Sequence, residues 1–507
     1  MVDRRHLLPG LAAFAAASAV ALVGLRATAL ELAGAPPPPR GPVELQLLGV
    51  NDFHAHLEPP KPGLGGAAWL SAHLRRAERS HPARTIRVHA GDMAGATPLV
   101  SSHFHDEPGV VAMNRMRFDV GTLGNHEFDE GGEEALRLLR GGRRQRPEAL
   151  KRDAAGRLEN TSDPGFKGVD NPYVAANSVT GDGRLLLPPY SVVERAGVKV
   201  GFIGVTTDTT PDYLLPRHSR PYRWLDVSES VNRWVPELQR RGVEAIVVLA
   251  HSGGFDGAGE IFDEARQMSD AVDVVVAGHT HSLLNHRIDG KLVVQALSYG
   301  TAFERIRVTV DPRSGDITEK SAEVVRTSHD EVAPDAGLAG YVERLAKRVA
   351  PLGERVVGSA SRPYSRTGGE LGELVADAQR AYARTDLAFV NPGNMRADID
   401  SGPVTYAELF EVHAYEHPLL RMRMRGRDVL ELLGQQHRDG SYTKLYTSGM
   451  RDPGEIDPER SYSVAANELI AEGERFPALR DRARGKRPVG TDLEALTAWV
   501  ERRPPRF

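Results

Sequence analysis

The first part of the chain repeats one unit, a short apolar run followed directly by a polar loop. The clearest examples are VELQLLGVNDFH, TIRVHAGD, FDVGTLGNHE, EAIVVLAHSGG and DVVVAGHTHS. Stretches with helical spacing, such as GGAAWLSAHLRRAER and ESVNRWVPELQRRG, separate several of these units. Apolar runs bounded by turn residues predict buried strands, and their alternation with amphipathic helices predicts an α/β fold.

The polar loops carry side chains of the types that bind metals. Because open α/β sheets place their sites just beyond the strand ends, side chains in these loops are expected to converge. One such side chain has an ordinary structural explanation, but several independent loops that all supply ligands at one end of a sheet indicate a metal site. The candidate ligands are Asp52, His54, Asp92, Asn125, His251, His279 and His281.

The residue types limit the metal chemistry. The chain has no cysteine, which excludes thiolate nucleophiles, cysteine zinc sites and iron–sulfur clusters. Oxygen and imidazole ligands suit Zn²⁺, Mn²⁺ or Co²⁺, and two such ions about 3.5–4 Å apart can clamp both oxygens of an in-line displacement. A carboxylate can bridge two ions, and Asp92 is the natural choice. Alternation along His279-Thr280-His281 points both imidazoles the same way.

The ordered motifs D-x-H, G-D, G-N-H-E-F-D, H-x-G-G and G-H-T-H resemble those of the calcineurin-like metallophosphoesterases, and among these the exported 5′-nucleotidases. The resemblance covers essentially the whole mature chain. It implies a four-layer α/β/β/α sandwich with a smaller C-terminal α+β substrate-binding domain. The expected domains are residues 36–334 and 359–507, joined by a connecting helix in 335–358 that Pro351 stops.

The resemblance also implies roles for the motif residues. One metal is held by Asp52, His54, Asp92 and His281, and the other by Asp92, Asn125, His251 and His279. A hydroxide activated by the two metals attacks phosphorus. His126 stabilises the transition state or protonates the leaving oxygen, and Asp129 orients it, as a carboxylate bonded to an imidazole raises its pKa. Glu127 is expected to order the loop.

A second group of motif residues is expected to bind substrate. NPGNMRADI (391–399) matches the family's N-x-G-x-x-R loop through Asn391, Gly393 and Arg396, and Arg366 aligns loosely with a preceding arginine. These arginines would neutralise a phosphate or carboxylate. The aromatic clamp around a nucleobase would consist of Tyr415 and Phe476, in the altered contexts HAYEHP and EGERFP.

The expected activity is therefore metal-dependent hydrolysis of nucleotide phosphate esters, of the 5′-nucleotidase or nucleotide-sugar diphosphate hydrolase type. The alternatives are a 2′,3′-cyclic-nucleotide phosphodiesterase, a thiosulfohydrolase-like enzyme on the same scaffold, and a non-catalytic binding protein. A net charge of −4 favours neither a nucleic-acid polymer nor a membrane surface as a partner, and we expect a monomer that binds a small nucleotide.

The N-terminus indicates export. Arg4 and Arg5 precede an apolar stretch from Leu7 to Leu25, and small-residue cleavage sites follow within residues 1–35. This is typical of a bacterial twin-arginine signal and predicts a periplasmic or extracellular protein. Residues 140–170 form a basic, glycine-rich insertion that we expect to be a solvated surface loop, with a substrate-facing lid as the alternative.

Overall fold

The computed structural model describes residues 41–147, 149–436 and 444–502, so the expected export signal lies outside the described residues. Within these ranges, no helix is both long enough and apolar enough to cross a membrane. The strands are β1 (Val43–Val50), β2 (Thr85–Ala90), β3 (Val120–Thr122), β4 (Leu150–Arg152), β5 (Leu158–Asn160), β6 (Tyr173–Val174), β7 (Ser178–Thr180), β8 (Tyr190–Arg195), β9 (Val198–Thr206), β10 (Tyr222–Trp224), β11 (Ala245–His251), β12 (Val274–Ala277), β13 (Leu283–Ile288), β14 (Lys291–Ala296), β15 (Ala302–Val310), β16 (Ile317–Arg326), β17 (Val356–Ala360), β18 (Leu387–Val390), β19 (Gly402–Thr405), β20 (Pro418–Arg425), β21 (Tyr446–Ser448), β22 (Ser461–Asn467) and β23 (Arg484–Thr491).

The helices flank these strands. They are α1 (Ala67–Glu78), α2 (Leu99–Ser102), α3 (Glu107–Met116), α4 (Gly132–Arg140), α5 (Pro216–Ser219), α6 (Val227–Arg240), α7 (Glu260–Gln267), α8 (Ala336–Gly353), α9 (Glu370–Ala383), α10 (Tyr406–Val412), α11 (Gly426–Gln435), α12 (Glu468–Glu472) and α13 (Asp492–Glu501). Short 3₁₀ turns include His126–Phe128, directly after β3.

Two six-stranded sheets form the centre of the first domain. Their orders are β16-β15-β1-β2-β3-β6 and β13-β14-β12-β11-β9-β8. A shared apolar core that includes Leu47, Val88, Val247 and Val276 lies between the sheets. Helices α1, α3 and α4 cover the outside of one sheet, and α6 and α7 cover the other. The expected four-layer α/β/β/α sandwich is confirmed.

The strand registers bring the functional loops to one edge. β1, β2 and β3 are parallel, with Val50 opposite His89 and Ala90 opposite Thr122. In the facing sheet β11 and β12 are parallel, with Ala250 opposite Ala277. These strands are apolar on both faces and almost wholly buried, as parallel strands of α/β sandwiches are. Their carboxyl ends therefore meet at one edge, and the loops that follow them face each other.

The second domain is a smaller α+β unit, as expected. Its sheet has the order β21-β18-β22-β20-β23, with one parallel pair (β18 and β22) and antiparallel neighbours. Helices α9 and α13 pack on one face of this sheet, and α11 and α12 pack on the other. The loops after β18 and before β20 face the first domain.

Most of the connecting helix packs on the first domain, and its last turn reaches the core of the second domain through Leu352. Leu338, Val342, Leu345 and Val349 of α8 lie in the same apolar core as α1 and α3. The expectation that Pro351 stops this helix was wrong, because α8 continues to Gly353 and the next amide, of Glu354, donates to the carbonyl of Ala350 at 2.9 Å. A proline removes only its own amide donor, and a residue after it can still bond backwards.

The insertion at 140–170 is not simply a solvated loop, which corrects that expectation. It contains the hairpin β4–β5, and Arg144 is only 9% exposed. The guanidinium of Arg144 bonds to the carboxylate of Glu130 next to the GNHEFD motif. Lys151 lies 3.6 Å from the carboxylate of Glu416 in the second domain, so the insertion bridges the two domains.

Candidate metal centre and active site

The strand-end loops hold their polar residues in a strained backbone conformation. Asp52, Asp92, His279 and His281 have φ angles of 49°, 50°, 73° and 56°. Residues other than glycine rarely adopt this left-handed conformation, and such strain persists where surrounding contacts impose it, often at functional sites.

Four of the predicted ligands form the first cluster, around Nε2 of His54. That atom lies 3.1 Å from Nε2 of His281 and 3.5 Å from Oδ2 of Asp92. Nε2 of His281 lies 3.3 Å from Oδ1 of Asp52. Asp52, His54 and His281 have ligand atoms close enough together to hold one ion.

The second cluster shares the same Asp92 oxygen. Oδ2 of Asp92 lies 3.0 Å from Nε2 of His251, which in turn is 3.1 Å from Oδ1 of Asn125. Nδ1 of His279 is 2.9 Å from that same Asn125 oxygen. The structure therefore brings all seven predicted ligands together, with Asp92 between the two groups.

The hydrogen bonds of Nδ1 determine which atom of His54 and His251 can bind a metal when the ring is neutral. Nδ1 of His54 lies 2.8 Å from the carbonyl of Gly95, and Nδ1 of His251 lies 2.8 Å from the carbonyl of Ala90. A carbonyl only accepts, so Nδ1 donates and the neutral ring has a bare lone pair on Nε2. Nε2 of each ring faces the buried Oδ2 of Asp92, which therefore receives either a proton from His251 or a metal cation. Acceptors that converge in this way fit a cation between them.

The pKa values agree with a cation-binding centre. Burial lowers the pKa of His279 to about 3 and also lowers the pKa of His54 and His281, which keeps these imidazoles in their neutral, ligating form. Burial also lowers the pKa of His251, but the Asp92 carboxylate outweighs it and raises that pKa to about 10. Asp92 therefore strongly favours a positive charge beside it.

Glu127 orders the loops instead of ligating. Its carboxylate accepts hydrogen bonds from the amides of Asp92, Met93 and Ala94 at 3.2, 2.7 and 3.1 Å, and from the amide of Gly124. It is 2% exposed, and it joins the loop after β2 to the loop after β3. This is the loop-ordering role that the sequence indicated.

Asn51 is a supporting residue that the sequence reasoning missed. Its Nδ2 donates to Oδ2 of Asp52 and to the carbonyl of Leu297, both at 2.6 Å, and its Oδ1 accepts from the amide of Ala296 at 2.9 Å. The only sequence signal was its position beside Asp52. By holding the loop after β14 against β1, Asn51 orients the Asp52 carboxylate.

His126 and Asp129 form a hydrogen-bonded pair at the edge of the metal ligands. Nδ1 of His126 lies 3.0 Å from both carboxylate oxygens of Asp129, and the His126 amide donates to Oδ1 of Asp92 at 2.9 Å. Burial lowers the pKa of His126, but Asp129 and then Asp92 raise it above its ordinary value overall. Since Nδ1 faces Asp129, Nε2 of His126 carries a proton when the ring is protonated, and the raised pKa favours that form.

Two predicted substrate residues of the second domain reach this centre. The Tyr415 hydroxyl is 3.4 Å from Nε2 of His126. Nη2 of Arg396 donates to the hydroxyl of Tyr299 at 3.5 Å, and its guanidinium carbon lies 5.9 Å from the Tyr415 ring centroid. Nε of Arg396 is buried with no partner among the described residues, so it has a donor left for a ligand.

Tyr299 is a second residue that the sequence reasoning missed. It follows β14 with φ 62°, and its ring centroid lies 3.9 Å from that of His56 and 5.1 Å from that of His281. Its backbone amide donates to the carbonyl of Asp52 at 2.7 Å. The segment that contains it, KLVVQALSYG, has no residue of a type that commonly binds metals. The sequence therefore contained no motif that marked this loop.

The remaining predicted substrate residues do not touch the metal ligands. Asn391 accepts from Nδ2 of Asn467 at 3.1 Å, and Gly393 is exposed one turn before Arg396. Arg366 is exposed, and its amide donates to the carboxylate of Asp398 at 2.8 Å. The Asn391 loop is therefore anchored within the second domain.

Phe476 lies in the core of the second domain and not on a substrate face. It is 1% exposed and packs with Leu432 and Leu479, so its ring cannot stack on a base in this arrangement. The neighbouring Arg475 reaches the first domain instead, with its guanidinium carbon 4.7 Å from the centroid of the Tyr213 ring. Tyr213 packs edge-on against His279 at 4.9 Å.

Comparison with known proteins agrees with this architecture. The sequence profile of the calcineurin-like phosphoesterase family matches residues 45–283, and that of the 5′-nucleotidase C-terminal domain matches residues 351–452. The structure is similar to the crystal structure of a 5′-nucleotidase precursor from Thermus thermophilus, with a TM-score of 0.75, 25% identity, and coverage of 91% of this chain and 96% of that one.

Two curated relatives are more similar in sequence. The chain is 32% identical to the endonuclease YhcR of Bacillus subtilis over 91% of its own length, and 32% identical to a cell wall protein of Listeria monocytogenes over 84%. It spans only 40% and 60% of the lengths of these two relatives. Fold, ligand clusters and profile matches agree on one assignment. The chain belongs to the calcineurin-like phosphoesterases, a hydrolase family, in the branch that carries a 5′-nucleotidase C-terminal domain.

Proposed function

We propose that this protein hydrolyses phosphate esters of nucleotides, as a 5′-nucleotidase or a nucleotide-sugar diphosphate hydrolase does. The single observation that carries the proposal is the shared Oδ2 of Asp92, with Nε2 of His54 at 3.5 Å and Nε2 of His251 at 3.0 Å. This arrangement suits two divalent cations, for which Zn²⁺, Mn²⁺ and Co²⁺ are the candidates. Similarity to the Thermus 5′-nucleotidase precursor supports a nucleotide as the substrate.

The ligands divide into two sets in this proposal. Asp52, His54, Asp92 and His281 hold one cation, and Asp92, Asn125, His251 and His279 hold the other. Two divalent cations supply Lewis-acid charge that polarises a phosphoryl oxygen and lowers the pKa of water. Asn125 contributes a neutral oxygen, which limits the negative charge gathered at the centre.

The side chains around the ligands perform the remaining steps. His126, whose pKa Asp129 raises, donates a hydrogen bond or a proton to a phosphate oxygen through Nε2. Arg396, which belongs to the second domain, neutralises the substrate phosphate and binds it through paired N–H groups. Tyr415 covers His126 and presents a flat ring to the leaving group, while Asn391 and Gly393 shape the loop that carries Arg396.

The test is phosphate release by the purified chain with each metal and a panel of esters. We expect release from nucleoside 5′-monophosphates or nucleotide sugars, and none after chelation. Phosphodiesters form the second class of candidate substrate, since the Bacillus relative at 32% identity is named an endonuclease. A 2′,3′-cyclic nucleotide and bis(4-nitrophenyl) phosphate therefore complete the panel. If no ester is cleaved with any metal, the proposal is wrong.

We also propose that the protein is exported. The basis is the twin-arginine pattern at Arg4 and Arg5, together with the Listeria relative that is named a cell wall protein. Cell fractionation, with and without Arg4→Lys and Arg5→Lys, tests this. Unchanged export of the double variant would contradict the proposed route.

A further inference from the structure

The second domain carries an arginine-rich groove at the end of its sheet that lies away from the metal centre. The groove has a volume of about 710 Å³ and is lined by five arginines and only two carboxylates. The lining arginines are Arg423, Arg425, Arg427, Arg482 and Arg484. For a chain with a net charge of −4, this is a strong local excess of positive charge.

The arginines are arranged by the strand period. Leu420, Met422 and Met424 of β20 are buried in the domain core, so Arg421, Arg423 and Arg425 project from the opposite face at intervals of about 6.6 Å. The neighbouring edge strand β23 adds to this row. Arg487 lies opposite Arg421, and Arg484 lies opposite Arg423.

These cross-strand pairs oppose folding. Like charges directly opposite in an antiparallel pair destabilise a sheet. Neither Arg423 nor Arg487 has a carboxylate within 4 Å in the described part of the chain, and the ion pairs of Arg425 with Glu459 and of Arg482 with Glu431 are long, at 3.8 Å each. Arg421 and Arg484 donate to backbone carbonyls, those of Ala383 at 3.2 Å and Asp481 at 2.8 Å, and neither has a carboxylate within 4 Å in the described part of the chain. The positive charge of these two arginine pairs therefore favours an external anion.

The shape and chemistry of the groove favour a phosphodiester chain. Arginine matches phosphate geometry with paired N–H groups, and a regularly spaced row of arginines suits a polymer with regularly spaced phosphates. A membrane surface is disfavoured, because the exposed large apolar side chains of the described residues (Leu158, Val192, Leu225, Phe255, Leu283 and Val356) all lie outside the groove.

We propose that this groove, built on β20 and β23, binds the backbone of a single-stranded nucleic acid. The small net charge predicted no such partner, but net charge does not report how charges are distributed. β20 begins three residues after Tyr415, and Arg425 lies seven residues further, about 23 Å along the strand. The groove therefore binds the polymer at a distance from the metal centre. It can hold the polymer on the protein whether or not the metal centre is occupied.

The test is fluorescence anisotropy with a labelled oligothymidylate strand about 20 nucleotides long, read at several salt concentrations, with strand integrity checked on a gel. The test variant is the double change Arg423→Ala and Arg484→Ala. The matched control is Arg240→Ala with Arg266→Ala, which removes two exposed arginines from helices of the first domain. A second double variant, Arg423→Lys with Arg484→Lys, keeps the charge.

We expect the test variant to bind at least about tenfold more weakly and the slope of log K against log salt to fall by about 1.4, because two phosphate contacts are lost. The control should bind like the wild type, and the lysine variant should be intermediate. Hydrolysis of 4-nitrophenyl phosphate should be unchanged in the test variant. Its thermal unfolding midpoint should stay the same or rise, because the substitution removes a pair of like charges that lie opposite each other. The unfolding midpoint shows that the variant is folded even if the protein hydrolyses none of the esters. A failure of the proposed hydrolase activity can therefore be distinguished from a failure of the proposed nucleic-acid binding.

Three results would overturn the inference. They are wild-type protein that does not bind the strand at low salt, a test variant that binds it as tightly as the control does, and equal arginine-dependent binding to poly-glutamate or to phosphatidylglycerol vesicles. The last result would show a general polyanion or membrane surface instead of a nucleic-acid site.

Discussion

Oδ2 of Asp92 and Nε2 of His251 lie 3.0 Å apart, and the hydrogen bond from His251 Nδ1 to the Ala90 carbonyl leaves Nε2 without a proton in the neutral ring. At this distance a proton on Nε2 or a metal cation has to lie between the two atoms, and the pKa of about 10 for His251 reflects how strongly Asp92 favours positive charge there. Since His54 directs a second lone pair at the same oxygen from 3.5 Å, Asp92 is positioned to join two cations.

Replacing Asp92 by Asn should therefore empty both metal positions. His281→Ala should weaken metal binding only at the position that His281 helps to form. The other ligand set, which contains Asn125, stays intact. Metal per chain, measured by inductively coupled plasma mass spectrometry, checks this, and turnover should fall at least about 100-fold in either variant. His286→Ala, on β13, is the control and should retain both ions. Equal metal contents of Asp92→Asn and the control would contradict a bridging role.

His126→Ala should lower kcat by about 10²–10⁴-fold and leave the metal content unchanged, because in the proposed mechanism His126 supplies a proton and belongs to neither set of ligands. Loss of metal in this variant would instead show that His126 is a ligand.

Asp129→Asn should shift the pH profile. Burial lowers the pKa of His126, but Asp129 and Asp92 raise it overall, so the protonated form persists to higher pH in the wild type. Removing the Asp129 charge lowers that pKa, and the alkaline limb of kcat should move to lower pH. An alkaline limb that stays in place would assign it to another group.

Arg396→Ala should raise KM for a phosphate monoester by about 10–100-fold, since a buried charge-assisted bond contributes roughly 1.5–3 kcal/mol. Arg396→Lys should recover part of this. Arg366→Ala is the matched control and should leave KM unchanged, because Arg366 is exposed away from the ligands. A raised KM for Arg366→Ala together with an unchanged KM for Arg396→Ala would assign the phosphate contact to Arg366.

Tyr415 and Phe476 should respond differently to truncation. Phe476→Ala should reduce the free energy of unfolding by about 3–5 kcal/mol and leave KM of the folded fraction unchanged, because it opens a cavity in a core. Tyr415→Ala should raise KM and change the unfolding free energy little. Urea unfolding and steady-state kinetics on both variants distinguish the roles. A raised KM for folded Phe476→Ala would instead support the hypothesis that Tyr415 and Phe476 together clamp a nucleobase.

The motifs predicted the α/β/β/α sandwich and the convergence of the seven candidate ligands. Apolar runs that end at Val50, Ala90 and Ala277 are each followed by polar residues, and parallel register brings such ends to one edge. The candidate metal ligands could be predicted from the sequence because each of them lies within a few residues of the end of its strand.

Other features depend on contacts between distant parts of the chain. Tyr299 carries no motif, and only the folding of β14 beside β12 brings it against His281. Phe476 had a motif position, but packing against Leu432 and Leu479 buried it and left Arg475 to reach the first domain. The arginine groove appears only when β23 pairs with β20 and sets Arg487 opposite Arg421.

The sequence by itself therefore determined the fold class, the metal-type ligands and the edge of the sheet where they gather, since these follow from local hydrophobic pattern and loop composition. The tertiary structure decided which oxygen lies between both ligand clusters, which aromatic ring faces the substrate and where unpaired arginines line up. Those outcomes depend on register and side-chain packing between segments that are far apart in the chain.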